Sequence, residues 1–124
     1  MYERILVGTD GSKTAAKAVD RAVEVAQSTN ASLTILTAGP LDRGAKVVAA
    51  ESERHSQSGL TIDTKVIDED AVSALIEEAR DGHFDLLVMG NKGMTGVTRF
   101  FRLGSVPNKV SHHLPCSLLI VKTT

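Results

Sequence analysis

Apolar residues in this chain gather in five short runs, which are separated by longer segments with helical spacing. The runs cover residues 4–8, 32–38, 62–67, 85–89 and 117–122. Most of them are continuously apolar, which is the pattern of strands covered by helices on both faces of a sheet. The run at 62–67 alternates between apolar and polar residues instead, and we therefore predict an edge strand there.

Four helices are predicted between these strands. The first begins with Ser12 as its N-cap and ends near Ser28, because apolar residues recur there at helical spacing: Ala15, Ala18, Val19, Ala22, Val23 and Ala26. The second, at about 43–56, has a weaker apolar face. The third follows the acidic residues 68–70 and ends near Gly82. A short fourth helix at about 106–113 ends before Pro115.

This alternation predicts a doubly wound α/β fold with a five-stranded parallel sheet, since parallel neighbours need long crossovers. With 124 residues, the chain has the length of one domain, which we expect to span residues 1–124. No apolar stretch approaches the ~18 residues of a membrane span. The net charge of −1 gives no general attraction to nucleic acid or to a membrane surface. The single cysteine excludes an intramolecular disulfide, so we expect a cytoplasmic protein.

The most informative segment follows the fourth predicted strand. It contains Gly90, Gly93, Gly96 and Gly104, carries basic but no acidic residues, and ends where the fourth helix is predicted to begin. Glycines allow the backbone to approach a ligand closely, and the free N–H groups at a helix start bind phosphate oxygens. The segment therefore predicts a nucleotide site.

Three familiar phosphate-binding motifs do not fit this chain. A P-loop needs glycine, lysine and serine or threonine in that order, and this triplet does not occur. A dinucleotide fingerprint needs Gly-x-Gly-x-x-Gly in the first strand-to-helix turn, where this chain has Gly-Thr-Asp-Gly-Ser at 8–12. The protein-kinase signatures are absent as well.

Three segments together resemble the universal stress protein family. They are ILVGTDGS at 5–12, DLLVMGNKG at 85–93, and GSVPNKVSHHLPC at 104–116, which is followed by the last strand. The resemblance covers the whole chain. It implies a Rossmann-like sheet with strand order 3-2-1-4-5, in which the ligand crevice lies between the first and fourth strands.

The ATP-binding branch of that family carries Gly-x2-Gly-x9-Gly-Ser/Thr, whereas ten residues separate Gly93 from Gly104 here. An added loop residue is usually accommodated by an outward bulge, so ATP binding remains the expectation. The resemblance implies that Gly8, Asp10 and Ala38 border the adenosine. It also implies a set that holds the ribose and phosphates: Met89, Gly90, Gly93, Gly104, Ser105 and Val106. A Mg²⁺ ion would arrive with the phosphates, since no cluster has metal-ligand spacing.

Simpler roles compete with these assignments. Asp10 is also a common turn or capping residue, and Ser105 is also a good N-cap for the helix that follows it. Ala38 is small for a wall of an adenine pocket. The neighbouring His112 and His113 suit the dipole at a helix end better than a metal site.

Three functions remain open. The leading one is a small ATP-binding regulator of the stress response, in which the nucleotide changes conformation or the choice of an unnamed partner protein. The second is a slow ATPase or an autophosphorylating enzyme, although no residue is clearly poised as a general base and no catalytic residue is assigned. The third is a nucleotide-free dimeric module. A homodimer is expected in any case, because the apolar last strand lies at a sheet edge in the family order.

Overall fold

The computed structural model describes residues 1–91, 114 and 116–123. Five strands are present in this part of the chain: β1 (Arg4–Gly8), β2 (Ser32–Ala38), β3 (Ile62–Ile67), β4 (Leu86–Gly90) and β5 (Ser117–Val121). Three helices connect the first four strands: α1 (Lys13–Thr29), α2 (Leu41–Arg54) and α3 (Ala71–Asp81). The helix predicted at 106–113 lies outside the described residues.

The strands form one parallel sheet with the order β3-β2-β1-β4-β5, as predicted. β1 lies in the centre, where Val7 is aligned with Ile35 of β2 on one side and with Val88 of β4 on the other. The α/β fold class and the strand order are therefore confirmed.

Alternate residues of the central strands point to two separate cores, which explains why the strands are continuously apolar. Ile5 and Val7 pack with α1 and with Val48 of α2 on one face of the sheet. Leu6 and Leu87 pack with Leu75 of α3 on the other face. Helices cover both faces, so neither set of side chains meets water.

β3 lies at an edge of the sheet, in agreement with its alternating sequence. Its residues Asp63, Thr64 and Lys65 are exposed. The ammonium group of Lys65 lies 2.9 Å from Oε1 of Glu78 on α3. A charged side chain on an open edge discourages pairing with other chains.

Local capping explains where α1 and α3 begin and where α1 ends. The Ser12 hydroxyl accepts a hydrogen bond from the N–H of Ala15, and the Asp70 carboxylate accepts one from the N–H of Ser73. Asn30 ends α1 in a left-handed conformation with φ 58°. The short turn after α3 places His83 in the same region, with φ 55°.

The predicted bounds of three elements were wrong. α2 begins at Leu41 and ends at Arg54, rather than covering 43–56, because Gly39 turns the chain with φ 135° directly into the helix. β4 includes Gly90 but not Asp85, whose carboxylate accepts the backbone N–H groups of Glu3 and Arg4. β5 ends at Val121, one residue earlier than predicted.

α2 lies unusually close to the sheet. A Cβ atom on Gly44 would overlap the side chain of Val66 on β3 and lie 3.0 Å from Cγ2 of Thr37 on β2. One turn later, Val47 lies against Gly11, where an added Cβ would come within 2.9 Å of Cγ2 of the valine. Two glycines thus let this crossover fit between the sheet and the β1–α1 loop.

A charged cluster joins α1 to α2. Glu51 is buried, and its carboxylate is paired with the guanidinium group of Arg54. The same guanidinium group lies 2.9 Å from Oδ1 of Asp20 on α1, and Nε2 of His55 lies 3.0 Å from that oxygen. The hydrogen bonds that the guanidinium group donates to Glu51 and to Asp20 raise the pKa of Arg54 above its ordinary value. The buried carboxylate therefore has the partner that it needs.

Candidate functional site

The winding of the sheet reverses at β1. The chain proceeds from β1 outward through β2 to β3, and then returns with β4 on the opposite side of β1. In open parallel sheets a crevice forms at the carboxyl ends of the two strands that flank such a reversal. The carboxyl ends of β1 and β4 are therefore the place where a ligand is expected.

The loop after β1 is fixed by its own side chains. The N–H of Gly11 donates to the hydroxyl of Thr9 over 3.1 Å, and the N–H of Ser12 donates to Oδ1 of Asp10 over 3.0 Å. The N–H of Thr9 in turn donates to the carbonyl of Leu36 on β2. Asp10 thus has the turn-forming role considered from the sequence, and one of its oxygens is used inside the loop.

Gly8, at the end of β1, faces α3. A Cβ atom at this position would lie 2.9 Å from Cδ2 of Leu75. The missing side chain therefore lets the leucine pack over the end of the strand. This packing role was not recognised from the sequence, because it depends on a residue far away in the chain.

Ala38, at the end of β2, is half-buried. The next residue, Gly39, donates its N–H to the carbonyl of Ile67 over 2.9 Å and so continues the pairing with β3. The guanidinium group of Arg43 lies 4.0 Å from the position that a Cβ atom of Gly39 would take. A cation of α2 thus stands beside this strand end, although the sequence did not single it out.

The end of β4 is buried. The side chain of Met89 is fully buried in the core on the α3 side of the sheet, and Gly90 is also buried. After Gly90, the chain continues to Asn91, whose N–H donates to the carbonyl of Val121 over 2.9 Å. The chain therefore leaves β4 in a direction that is fixed by β5.

The structure brings together five of the nine residues predicted to bind nucleotide. Gly8, Asp10, Ala38, Met89 and Gly90 all lie at the carboxyl ends of the three adjacent strands β2, β1 and β4. The other four lie outside the described residues, and their place in the site stays a prediction: Gly93, Gly104, Ser105 and Val106.

Among the described residues, perturbed pKa values occur directly before α3 and directly before β5. Hydrogen bonds with Ser73 lower the pKa of Asp70, whereas a hydrogen bond with Glu77 raises the pKa of Glu69. Burial, together with the charge of Asp85, raises the pKa of the Cys116 thiol.

Within residues 1–91, 114 and 116–123, no group of histidine, cysteine and acidic side chains is arranged to hold a metal ion. In the same part of the chain, no helix is long and apolar enough to cross a membrane.

The sequence matches a known family along most of its length. The model of the universal stress protein family matches residues 1–51 and 39–122. These two matched segments overlap within α2, the crossover that is held close to the sheet. The chain is 32% identical to the universal stress protein Rv1636 of Mycobacterium tuberculosis over 145 aligned positions, covering 99% of this chain and 98% of that protein. Because this chain has only 124 residues, that relative carries additional residues within the aligned region.

Further relatives agree over the full length. The chain is 28% identical to the universal stress protein YxiE of Bacillus subtilis, covering 98% of this chain and all of the relative. Among solved structures, it is 36% identical to a universal stress protein crystallised in complex with cAMP, with a TM-score of 0.85 and coverage of 99% of this chain and 98% of the other. The sequence motifs, the strand order and these matches agree, and the chain belongs to the universal stress protein family.

Proposed function

We propose that this protein binds an adenine nucleotide at the carboxyl ends of β1 and β4. The observation that carries the proposal is the similarity to a universal stress protein whose structure was solved with cAMP, at 36% identity and over nearly the whole of both chains. The reversal of winding between β1 and β4 supports the same position on independent physical grounds.

Different groups of the predicted residues contact different parts of the nucleotide. Gly8, Asp10 and Ala38 border the adenosine, and the carboxylate oxygen of Asp10 that does not accept from Ser12 faces the ligand. Met89 and Gly90 support the ribose. The N–H groups of the glycine loop and the hydroxyl of the serine at the helix start hold the phosphates, through Gly93, Gly104, Ser105 and Val106.

The proposed role is that of a small cytoplasmic regulator in the stress response, formed by one domain over residues 1–124. ATP, with Mg²⁺ carried on its phosphates, is the ligand that the glycine motif favours, whereas the similar solved structure is a complex with cAMP. Slow hydrolysis or autophosphorylation is the second candidate.

Calorimetric titrations with ATP, with and without Mg²⁺, and with cAMP and AMP test the proposal, and GTP serves as the control for base selectivity. Absence of heat with every adenine nucleotide at 1 mM, about the weakest affinity of interest, would contradict it.

We also propose a homodimer formed through β5. β5 lies at the edge of the sheet opposite β3, and the side chain of Ile120 is 43% exposed there. An open edge that carries exposed apolar side chains is a surface that proteins rarely leave uncovered. A second copy related by a two-fold axis would pair with it in an antiparallel direction.

Replacing Ile120 with lysine should convert the dimer to a monomer, because the added charge would be buried between two identical strands. Thr64→Lys, at an exposed position of β3 on the opposite edge of the sheet, is the matched control, since it adds the same charge away from β5. Sedimentation velocity at micromolar concentration distinguishes the species. A monomeric wild-type protein would rule out the dimer.

A further inference from the structure

The residues that follow β5 continue beside the residue that follows β4. Oδ1 of Asn91 accepts a hydrogen bond from the N–H of Thr123 over 2.9 Å and another from its hydroxyl over 3.1 Å. The carbonyl of Thr123 accepts a third from the ammonium group of Lys17 on α1, over 3.0 Å. We call these three residues the latch.

Thr123 lies after the end of β5, yet it is only 2% exposed. Its N–H and hydroxyl converge on one oxygen, and a backbone N–H can only donate, so the amide group of Asn91 must present its oxygen here. The latch thus satisfies polar groups that burial would otherwise leave unpaired.

The latch controls a position next to the proposed ligand. Asn91 directly follows Gly90, which we assign to nucleotide binding, and its own N–H donates to the carbonyl of Val121. Both the backbone and the side chain of Asn91 are therefore held from the β5 side. The direction in which the chain leaves β4 toward the glycine loop is set before any ligand arrives.

We infer that Asn91 is a positioning residue for nucleotide binding, and that it acts through its hydrogen bonds to Thr123. This inference rests on the proposed function. A residue that is held in advance loses less conformational entropy when a ligand binds beside it, so binding is tighter. By thermodynamic reciprocity, a bound nucleotide must then stabilise the latch to the same extent.

The latch itself can be tested without any nucleotide. Hydrogen exchange followed by NMR should show the Thr123 amide protected in the wild-type protein, although it lies beyond the last residue of β5. Asn91→Ala removes the shared acceptor and should bring the exchange of this amide to the rate of an unstructured peptide. Equal rates in the two proteins would overturn the inference.

Calorimetry with the adenine nucleotide that binds the wild-type protein tests the functional part. Asn91→Ala should weaken binding about tenfold, the scale of one or two net hydrogen bonds. Thr123→Val, which loses the hydroxyl donor but not the N–H, should weaken it about threefold. Thr123→Ser keeps both donors and should bind like the wild-type protein.

Gln27→Ala is the control for general loosening. It removes a side-chain hydrogen bond to the carbonyl of Ser58, which lies beyond the amino ends of the strands, and it should leave the affinity unchanged. Circular dichroism confirms that each variant is folded. If Asn91→Ala does not fold, the affinity of Thr123→Val tests the inference in its place. If the variants lose the protection of Thr123 and still bind like the wild-type protein, the inference is wrong while the proposed function stands. If the wild-type protein binds no nucleotide, both are wrong.

Discussion

The two ends of the sheet are built in opposite ways. At the amino ends of the strands, side chains close off the backbone. The carboxylate of Asp85 accepts the N–H groups of Glu3 and Arg4, and the guanidinium group of Arg4 donates to the carbonyl of Gly82 over 3.0 Å and lies 4.6 Å from the centre of the Phe84 ring. At the carboxyl ends, β1, β2 and β4 end at or before a glycine, and side chains of the β1–α1 loop hold that loop through hydrogen bonds. The amino end thus stabilises the fold, whereas the carboxyl end is where we propose that a ligand binds.

Substitution of Gly104 should give the largest effect and should act on binding alone. A valine there would place a branched side chain where we expect phosphate, so the affinity for the adenine nucleotide should fall at least ~100-fold, an excess cost of about 2.7 kcal/mol. The free energy of unfolding should change little. Calorimetry combined with urea unfolding measures both quantities, and Gly96→Val, within the same loop but outside the motif, is the control. Equal affinities of wild type and Gly104→Val would contradict the assignment of Gly104 to phosphate binding.

At the opposite end, Asp85→Ala should act on stability alone. The change leaves two backbone N–H groups without their charged acceptor, so the free energy of unfolding should fall by about 2 kcal/mol. Asp85→Asn keeps one acceptor oxygen and should lose about half as much. Nucleotide affinity should be the same in all three folded proteins. A large loss of affinity in Asp85→Asn would show that the two ends of the sheet are not independent.

The cap of α3 offers a smaller test, which depends on pH. Asp70→Ala should lower the free energy of unfolding by ~1 kcal/mol at pH 7, because the helix loses its N-cap. Hydrogen bonds with Ser73 lower the pKa of Asp70 in the folded protein. The contribution of its charge is therefore fully present above the unfolded pKa of about 3.9 and is lost as the pH falls through the lower folded value.

Asp70→Asn is the matched control for this cap. It keeps an acceptor oxygen, so it should retain most of the stability without the pH dependence. Urea unfolding at several pH values between about 2.5 and 7 separates the variants. A difference between wild type and Asp70→Ala that stays constant down to the lowest pH would contradict the role of the charge.

The smallest effect is expected at the turn after α3. His83 has φ 55°, a left-handed conformation that glycine adopts without steric cost. His83→Gly should therefore raise the free energy of unfolding by up to ~1 kcal/mol. Asn30→Gly, at φ 58°, should gain less, because asparagine tolerates this region better. Thermal unfolding measures both changes, and a destabilised His83→Gly would mean that the imidazole makes a favourable contribution that outweighs the strain.

Local sequence patterns were sufficient for most of the fold. The apolar runs predicted β1 and β2, and the alternating run predicted β3, with the bounds that the structure shows. Ser12 was correctly predicted as the N-cap of α1. α2 was predicted less well, because its buried residues are few and include Gly44 and Glu51, which no apolar pattern would select. Their burial depends on contacts with β3 and with Arg54 instead.

The positions of the candidate residues at the strand ends could be predicted from the sequence. The contacts between distant segments could not. Asp10 and Gly90 follow apolar runs and can be found from the sequence. The partners of Asn91 are more distant, since Thr123 lies 32 positions further along the chain, and no periodicity connects the two. The packing of Leu75 over Gly8 is likewise a contact between separate elements. Such roles become visible only once the order of the strands is known.

The close approach of α2 has a consequence for how sequences of this kind can diverge. Gly44 can gain a side chain only if Val66 becomes smaller, so substitutions at these two positions should be tolerated together and not singly. The same holds for Gly11 and Val47, although the positive φ of Gly11 adds a penalty of its own. In relatives whose second crossover has the same length, we therefore expect position 44 to covary with position 66. A relative with a longer crossover has room to lift its helix away from the sheet, and there the two positions are free to change independently.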